Sequence, residues 1–168
     1  MPSDALLIAA VAGSGGASAA LDLRTRRVPN WLTLGITGLG VSLAAAHLTR
    51  VSVTGALAGF ALGLLLMLPG HVIGATGAGD VKLFAAVGTL LGPAGVVVAF
   101  LYTAILGGAL AVIVAVYRGR LETTLQGAAT LVLTGGANVA EIERSTANNR
   151  FAYAPAIAIG TLAAALGF

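Results

Sequence analysis

The sequence predicts an all-α integral membrane protein with six transmembrane helices and both termini on the extracytoplasmic side. Three observations carry this expectation. The 168 residues are 58% hydrophobic and only 9% charged, with a mean hydropathy of +0.98. A soluble domain is usually about 25% charged, so this chain cannot cover a globule with polar surface. Apolar runs near spanning length recur between short polar breaks. Basic residues also gather in alternate breaks, the pattern that sets orientation across a bilayer.

Six spans follow in order. The first runs from about Ala5 to Leu21, and the second from Trp31 to Leu48 after Val28-Pro29-Asn30, where Pro fixes φ and opens a helix. The third covers Val51 to Pro69. The fourth starts near Asp80 and ends at Leu91, which is short for a span unless its helix begins earlier. Gly92-Pro93 predicts a tight turn into the fifth, Ala94 to Tyr117. The last extends from Phe151 to Phe168. Between the fifth and sixth, residues 118–150 read as a cytoplasmic loop with one or two interfacial helices, because Leu125–Val139 is too short and Gly-rich to span. With about 20 residues per span, the length leaves one domain, 1–168, and no soluble module. Met1-Pro2-Ser3-Asp4 lacks the basic n-region of a cleavable signal.

If the loop between Asp22 and Trp31 is cytoplasmic, Arg24, Arg26, Arg27, Lys82, Arg118, Arg120, Arg144 and Arg150 share that side, and Arg50 alone falls opposite. Eight against one is a strong positive-inside asymmetry. The same arginines account for a pI of 10.0 on a net charge of +3, so no nucleic-acid partner is expected. Membrane phospholipid is the partner they imply. The lack of cysteine excludes disulfides, thiol nucleophiles and thiolate zinc sites. Gly55, Gly59 and Gly63, four apart, form a small-residue ridge on the third span, and Gly13, Gly15, Gly16 and Ser18 resemble one on the first.

Of six acidic residues, only Asp22 and Asp80 lie against long apolar runs. A carboxylate at the edge of lipid is costly and is by default a functional-site candidate. Two crossings separate the pair, so both emerge on the same face. Asp80 ends Gly77-Ala78-Gly79-Asp80, where glycine allows the backbone to bend and a peptide to approach. Its bland alternative is a helix cap, and the alternative for Asp22 is a salt bridge to Arg24, Arg26 or Arg27. Asp22 is expected to close the first helix, where the dipole disfavours a carboxylate. Lys82 points about 200° away from Asp80 on an ideal helix, so a lipid phosphate or a loop carbonyl is its expected partner. His71 reads as a solvated interfacial histidine, since one His makes no metal site. His47 looks incidental, and Trp31 reads as an interfacial anchor. Paired carboxyls can share a proton, one taking a proton from an attacking water while the other donates to the carbonyl. Sequence does not assign which aspartate is base and which is acid. No metal or cofactor is required.

Together, Asp22-Leu23-Arg24-Thr25-Arg26-Arg27-Val28-Pro29-Asn30 and Gly77-Ala78-Gly79-Asp80-Val81-Lys82-Leu83 resemble the type IV prepilin leader peptidases. That family carries Asp…Arg…Ile-Pro-Asn and Gly-x-Gly-Asp-x-Lys-Leu, and only Val28 departs, from Ile. Phe151–Gly160 resembles the family's Pro-containing last helix. The resemblance implies an aspartic endopeptidase in the bacterial cytoplasmic (inner) membrane. It would cut prepilin or pseudopilin leaders at the cytoplasmic face, typically after a glycine. Asp22 and Asp80 would be catalytic, with Pro29, Asn30, Gly77, Gly79 and Lys82 supporting the loops. Larger relatives add a cysteine-bearing N-terminal region and a methyltransferase activity. This chain shows neither cysteine nor such a region, so the peptidase-only form is expected.

Three other readings stand beside it. A transporter or channel could use the aspartates as a proton or cation relay, but relay carboxylates sit near the midplane on broken helices. A scaffold would use Asp80 as a cap and Asp22 as an ion-pair partner. A presenilin-like protease shares Gly-x-Gly-Asp, but Leu21 stands where its Tyr-Asp pairing needs a tyrosine.

Overall fold

A computed structural model of the chain describes residues 2–72, 76–117, 119, 126, 129, 133 and 153–167. The regular elements spanning these residues are helices: α1 (Pro2–Thr25), α2 (Asn30–Ala45), α3 (Val53–Val72), α4 (Ala78–Tyr117) and α5 (Ala154–Leu166). Among the described residues, three stretches are long and apolar enough to cross a membrane: Asp4–Thr25, Val53–Val72 and Ala78–Tyr117. The chain therefore has the make-up of a membrane protein.

Local chemistry sets most helix ends. α1 runs one turn beyond the expected Leu21, because Leu23 prolongs the apolar pattern and the Thr25 hydroxyl bonds back to the Leu21 carbonyl at 2.8 Å. Arg26, at φ 51°, then breaks it. Asp22 therefore sits inside the last turn of α1 and does not close the helix. Pro29 precedes α2 in an extended conformation (φ −72°, ψ 147°), and its carbonyl accepts from Leu32 and Thr33. α2 ends at Ala45, before the expected Leu48, where His47 at φ 53° turns the chain and the Leu48 N–H reaches the Leu43 carbonyl. Ser52 caps α3 through the Gly55 N–H at 3.1 Å, so α3 begins at Val53 and carries Pro69 within it.

α4 contains the expected turn. Gly92 has φ 69° and ψ −179°, a left-handed extended conformation that side chains resist. Pro93 then resumes the helix. Phe84 and Phe100, sixteen positions apart, would lie ~24 Å apart on a straight helix. Their ring centroids are instead 6.2 Å apart at 73°. The two arms of α4 therefore fold against each other as a hairpin.

The first arm, residues 78–91, is the centre of the fold. Leu83, Phe84, Ala85, Ala86, Val87 and Leu90 are all fully buried. α1, α2, α3 and α5 surround α4, while α1 also packs on α5 and α2 on α3. At about 21 Å the first arm is shorter than a bilayer core, as are α2 and α5.

Glycine makes the tightest contacts. Gly59 faces Gly88 backbone to backbone, and Gly63 lies against Phe84 and Ala85. Gly55 touches only Val51 and Ser52, so the α3 ridge has two working positions where three were expected. On α1, Gly15 meets Ala158 of α5 and Ser18 is buried, whereas Gly13 and Gly16 face open space. Gly13 lines a groove of about 380 Å³ between α1 and α2, with Ala17, Trp31 and Gly35. The 118–150 segment expected to form interfacial helices lies, apart from residues 119, 126, 129 and 133, outside the described residues.

Candidate active site

Asp22 and Asp80 lie at one end of the helix bundle. The opposite end is marked by Asp4 at the start of α1, whose carboxylate pairs with Arg50, before α3, at 2.9 Å. Traversing α1 leads from that pair to Asp22, and traversing α3 leads from it to the Asp80 turn. α2 and α3 together thus return the chain to the Asp22 end.

The two loops there are docked on each other. Gly79 packs so tightly on Val28 that a Cβ at Gly79 would lie 3.3 Å from the Val28 Cβ. Lys82 Nζ donates to Asn30 Oδ1 at 3.2 Å. This replaces the expected lipid phosphate or loop carbonyl, because Asn30 opens α2 just where the first turn of α4 arrives. Pro29 is placed beside it as the residue before α2. Gly77 and Gly79 do not take positive φ. Their use is proximity: Gly77 approaches the Asp80 carboxylate, and Gly79 approaches Val28.

Asp80 is the third residue of α4, and its Oδ2 accepts the Gly77 N–H at 3.1 Å. It reaches back over the helix start as the third position of a capping box does, at the end where the macrodipole favours a carboxylate. Asp22 is 6% exposed, and its Oδ2 accepts the N–H of Ala154, the first residue of α5, at 3.3 Å. That contact replaces the salt bridge considered from sequence. Arg24, Arg26 and Arg27 are exposed, and among the described residues none of them pairs with Asp22.

The Asp22 carboxylate lies within electrostatic reach of Asp80. Among the described residues the two do not hydrogen-bond to each other; each spends one oxygen on a backbone N–H. Asp22 is closed off by α5, while Asp80 is partly open beside the exposed Gly77. Two carboxyls so held, with unlike surroundings, can take different protonation states and flank a reacting group. Tyr153 stands next to this pair and is also within electrostatic reach of Asp80. His71 is exposed, its Nδ1 3.1 Å from the Thr76 carbonyl, and His47 lies at the far end. Among the described residues no cluster could hold a metal ion.

Sequence reasoning placed the last, Pro-containing helix but did not bring its start to Asp22. Pro155, at the second position of that helix, was the available signal, since Pro there marks a helix N-terminus and its free N–H groups.

No curated protein and no solved structure matches this chain. The type IV leader peptidase family matches residues 6–112, a span that includes both aspartates, both loops and most of the α4 hairpin. That span is well over half of the sequence, and the chain belongs to the type IV leader peptidase family.

Proposed function

We propose that this chain is an aspartic endopeptidase of the bacterial cytoplasmic membrane that removes the N-terminal leader from prepilin-like substrates. Family membership supports a leader peptidase in general terms. The observation that carries the finer reading is the juxtaposition of Asp22 and Asp80. They come from α1 and α4, lie at one end of an apolar bundle, and interact through charge. Both belong to the span that the family matches.

In the proposed reaction one aspartate is ionised and the other protonated. The ionised carboxylate takes a proton from a water whose oxygen attacks the scissile carbonyl. The protonated carboxyl donates to that carbonyl oxygen, giving a neutral tetrahedral diol. Collapse restores the carbonyl, breaks the C–N bond and delivers a proton to the departing amine. No cofactor enters this scheme. Gly79, Lys82 and Asn30 support it by holding the two loops together, Gly77 by bonding the Asp80 carboxylate, and Pro29 by opening α2.

The chain is proposed as one domain with six crossings: α1, α2, α3, the two arms of α4, and α5. Arg24, Arg26, Arg27 and Lys82 lie at the aspartate end, and Arg50 lies at the other. That charge pattern supports a cytoplasmic active site and extracytoplasmic termini. Leader removal without methylation is the activity proposed. The relay alternative has less support, since the aspartates lie at helix ends away from the bundle midpoint.

The test is co-expression with a prepilin, scored as a leader-sized gel shift. Wild type should cleave, and Asp22→Asn and Asp80→Asn at matched membrane levels should not. Cleavage by either variant would remove that aspartate from the reaction.

A further inference from the structure

The contact that buries Asp22 comes from outside the span the family matches. Tyr153 and Ala154 open α5, far along the chain from α1, and Ala154 is fully buried. Tyr153 ties the start of α5 to the second arm of α4. Its carbonyl accepts from Ala156 and Ile157, starting α5. Its ring lies in a notch at Gly107 on the second arm of α4, where any Cβ would collide with the ring and hydroxyl. Its hydroxyl donates to the Thr103 carbonyl, one turn away on that arm, at 3.3 Å. The next N–H in the chain is the one that meets Asp22 Oδ2.

We propose that Tyr153 is a positioning residue for Asp22: anchored in the Gly107 notch, it fixes the first turn of α5 so that the Ala154 N–H orients the Asp22 carboxylate towards Asp80. The proposal rests on the peptidase reading for its consequence in catalysis, but the seating itself is a matter of geometry. No side chain other than proline's alters the Ala154 N–H itself, so its direction is set by what anchors the peptide. Here a rigid aromatic ring supplies the anchor through two contacts on a neighbouring helix. Loss of that anchor would let the α5 start drift and leave Asp22 without its partner. A carboxylate misplaced by ~1 Å can lose ~100-fold in rate while substrate binding is untouched. The effect should therefore fall on kcat and spare KM.

Two independent perturbations reach the same contact. Tyr153→Ala empties the notch, and Gly107→Ala fills it and expels the ring. Tyr153→Phe keeps the ring and removes only the bond to Thr103. The first readout does not depend on cleavage: modification of Asp22 by a hydrophobic carbodiimide, quantified by mass spectrometry of the purified protein in detergent, with Asp4 as internal reference. Modification of Asp22 should rise at least threefold in Tyr153→Ala and Gly107→Ala, and less in Tyr153→Phe, with Asp4 unaltered. The second readout is steady-state cleavage of a prepilin by the folded, monodisperse fraction. There kcat should fall at least tenfold in the first two variants, KM should stay within twofold, and Tyr153→Phe should recover most of the rate. Unaltered Asp22 modification overturns the proposal, as does unaltered kcat in a protein that cleaves. A wild type that cleaves nothing would instead sink the peptidase reading, and the modification experiment would still decide the seating.

Discussion

Replacing Gly59 by alanine should separate the α3–α4 contact from the rest of the bundle. The Cβ added there would meet the Gly88 carbonyl and press on Gly92, and both obstacles are backbone. Backbone cannot rotate away as a side chain can, so the helices must part by roughly 1 Å to regain ordinary contact. Overpacking of this kind costs about 1–3 kcal/mol, and rigid partners argue for about 3. Alanine returns about 1 kcal/mol through its better helix propensity, leaving a net loss of about 2. At 2–4 °C per kcal/mol for a chain of this size, Tm should fall by roughly 4–8 °C. The matched control is Gly38→Ala on α2, where a Cβ meets nothing within 4 Å. It carries only the propensity gain and should hold or raise Tm by about 2–4 °C. Thermal unfolding of purified protein in one detergent, followed by circular dichroism, measures both. Gly59→Ala melting at or above Gly38→Ala would refute the reasoning, because the close approach of α3 to α4 would then have no energetic consequence. Gly88→Ala should behave like Gly59→Ala. The double variant should cost less than the sum, since the helices are already parted.

Other perturbations act nearer the aspartates. Gly79→Ala, whose Cβ would stand 3.3 Å from that of Val28, should lower the rate of prepilin cleavage by about tenfold by pushing the α4 start off the α1–α2 loop; Val28→Gly in the same chain should recover part of it. Lys82→Met removes the bond to Asn30 and should cost about 1 kcal/mol in thermal unfolding, with a few-fold loss of cleavage. Asp80→Ala gives up the acceptor for the Gly77 N–H and should lose about 1 kcal/mol of stability, whereas Asp80→Asn keeps an acceptor and should melt near wild type. Neither Asp80 variant should cleave, so the comparison separates helix capping from chemistry. Arg50→Ala breaks an exposed ion pair at the far end and should leave both cleavage and Tm unaltered.

What the sequence revealed depended on how local each signal was. Asp22 and Asp80 stood out because a chain with so few charges gives each one weight, and counting two crossings put them at the same end. Gly92-Pro93 was legible because both residues act on their own backbone. The extension of α1 through Asp22 was missed because a polar residue looks like a terminus, although Leu23 and Thr25 carry the helix one turn further. The partner of Lys82 lies 52 positions away and that of Asp22 lies 132 away, and neither leaves a mark in local periodicity. Gly77 and Gly79 were read as allowing both a bend and a close approach, and the fold uses the second, their lack of a side chain. Spacing alone cannot distinguish a glycine needed for its φ from one needed for its size.

The scaffold alternative and the peptidase reading make opposite use of the same two hydrogen bonds. If Asp80 were only a cap, its carboxylate would be fully explained by the Gly77 N–H, and Asp22 would need no acid nearby. Yet the fold brings the two carboxylates within electrostatic reach, which destabilises both when charged, and then places them on elements that cannot easily separate. Gly79 on Val28, Lys82 on Asn30 and the buried first arm of α4 all hold that unfavourable proximity in place. A helix cap and a buried ion-pair partner could each be had without it. Proximity that costs stability, held in place by three separate contacts, favours the proposed peptidase reading over a simple cap. Asp80→Asn should therefore raise Tm slightly or leave it unaltered while abolishing cleavage, because it relieves the repulsion, retains the cap and removes the reacting group.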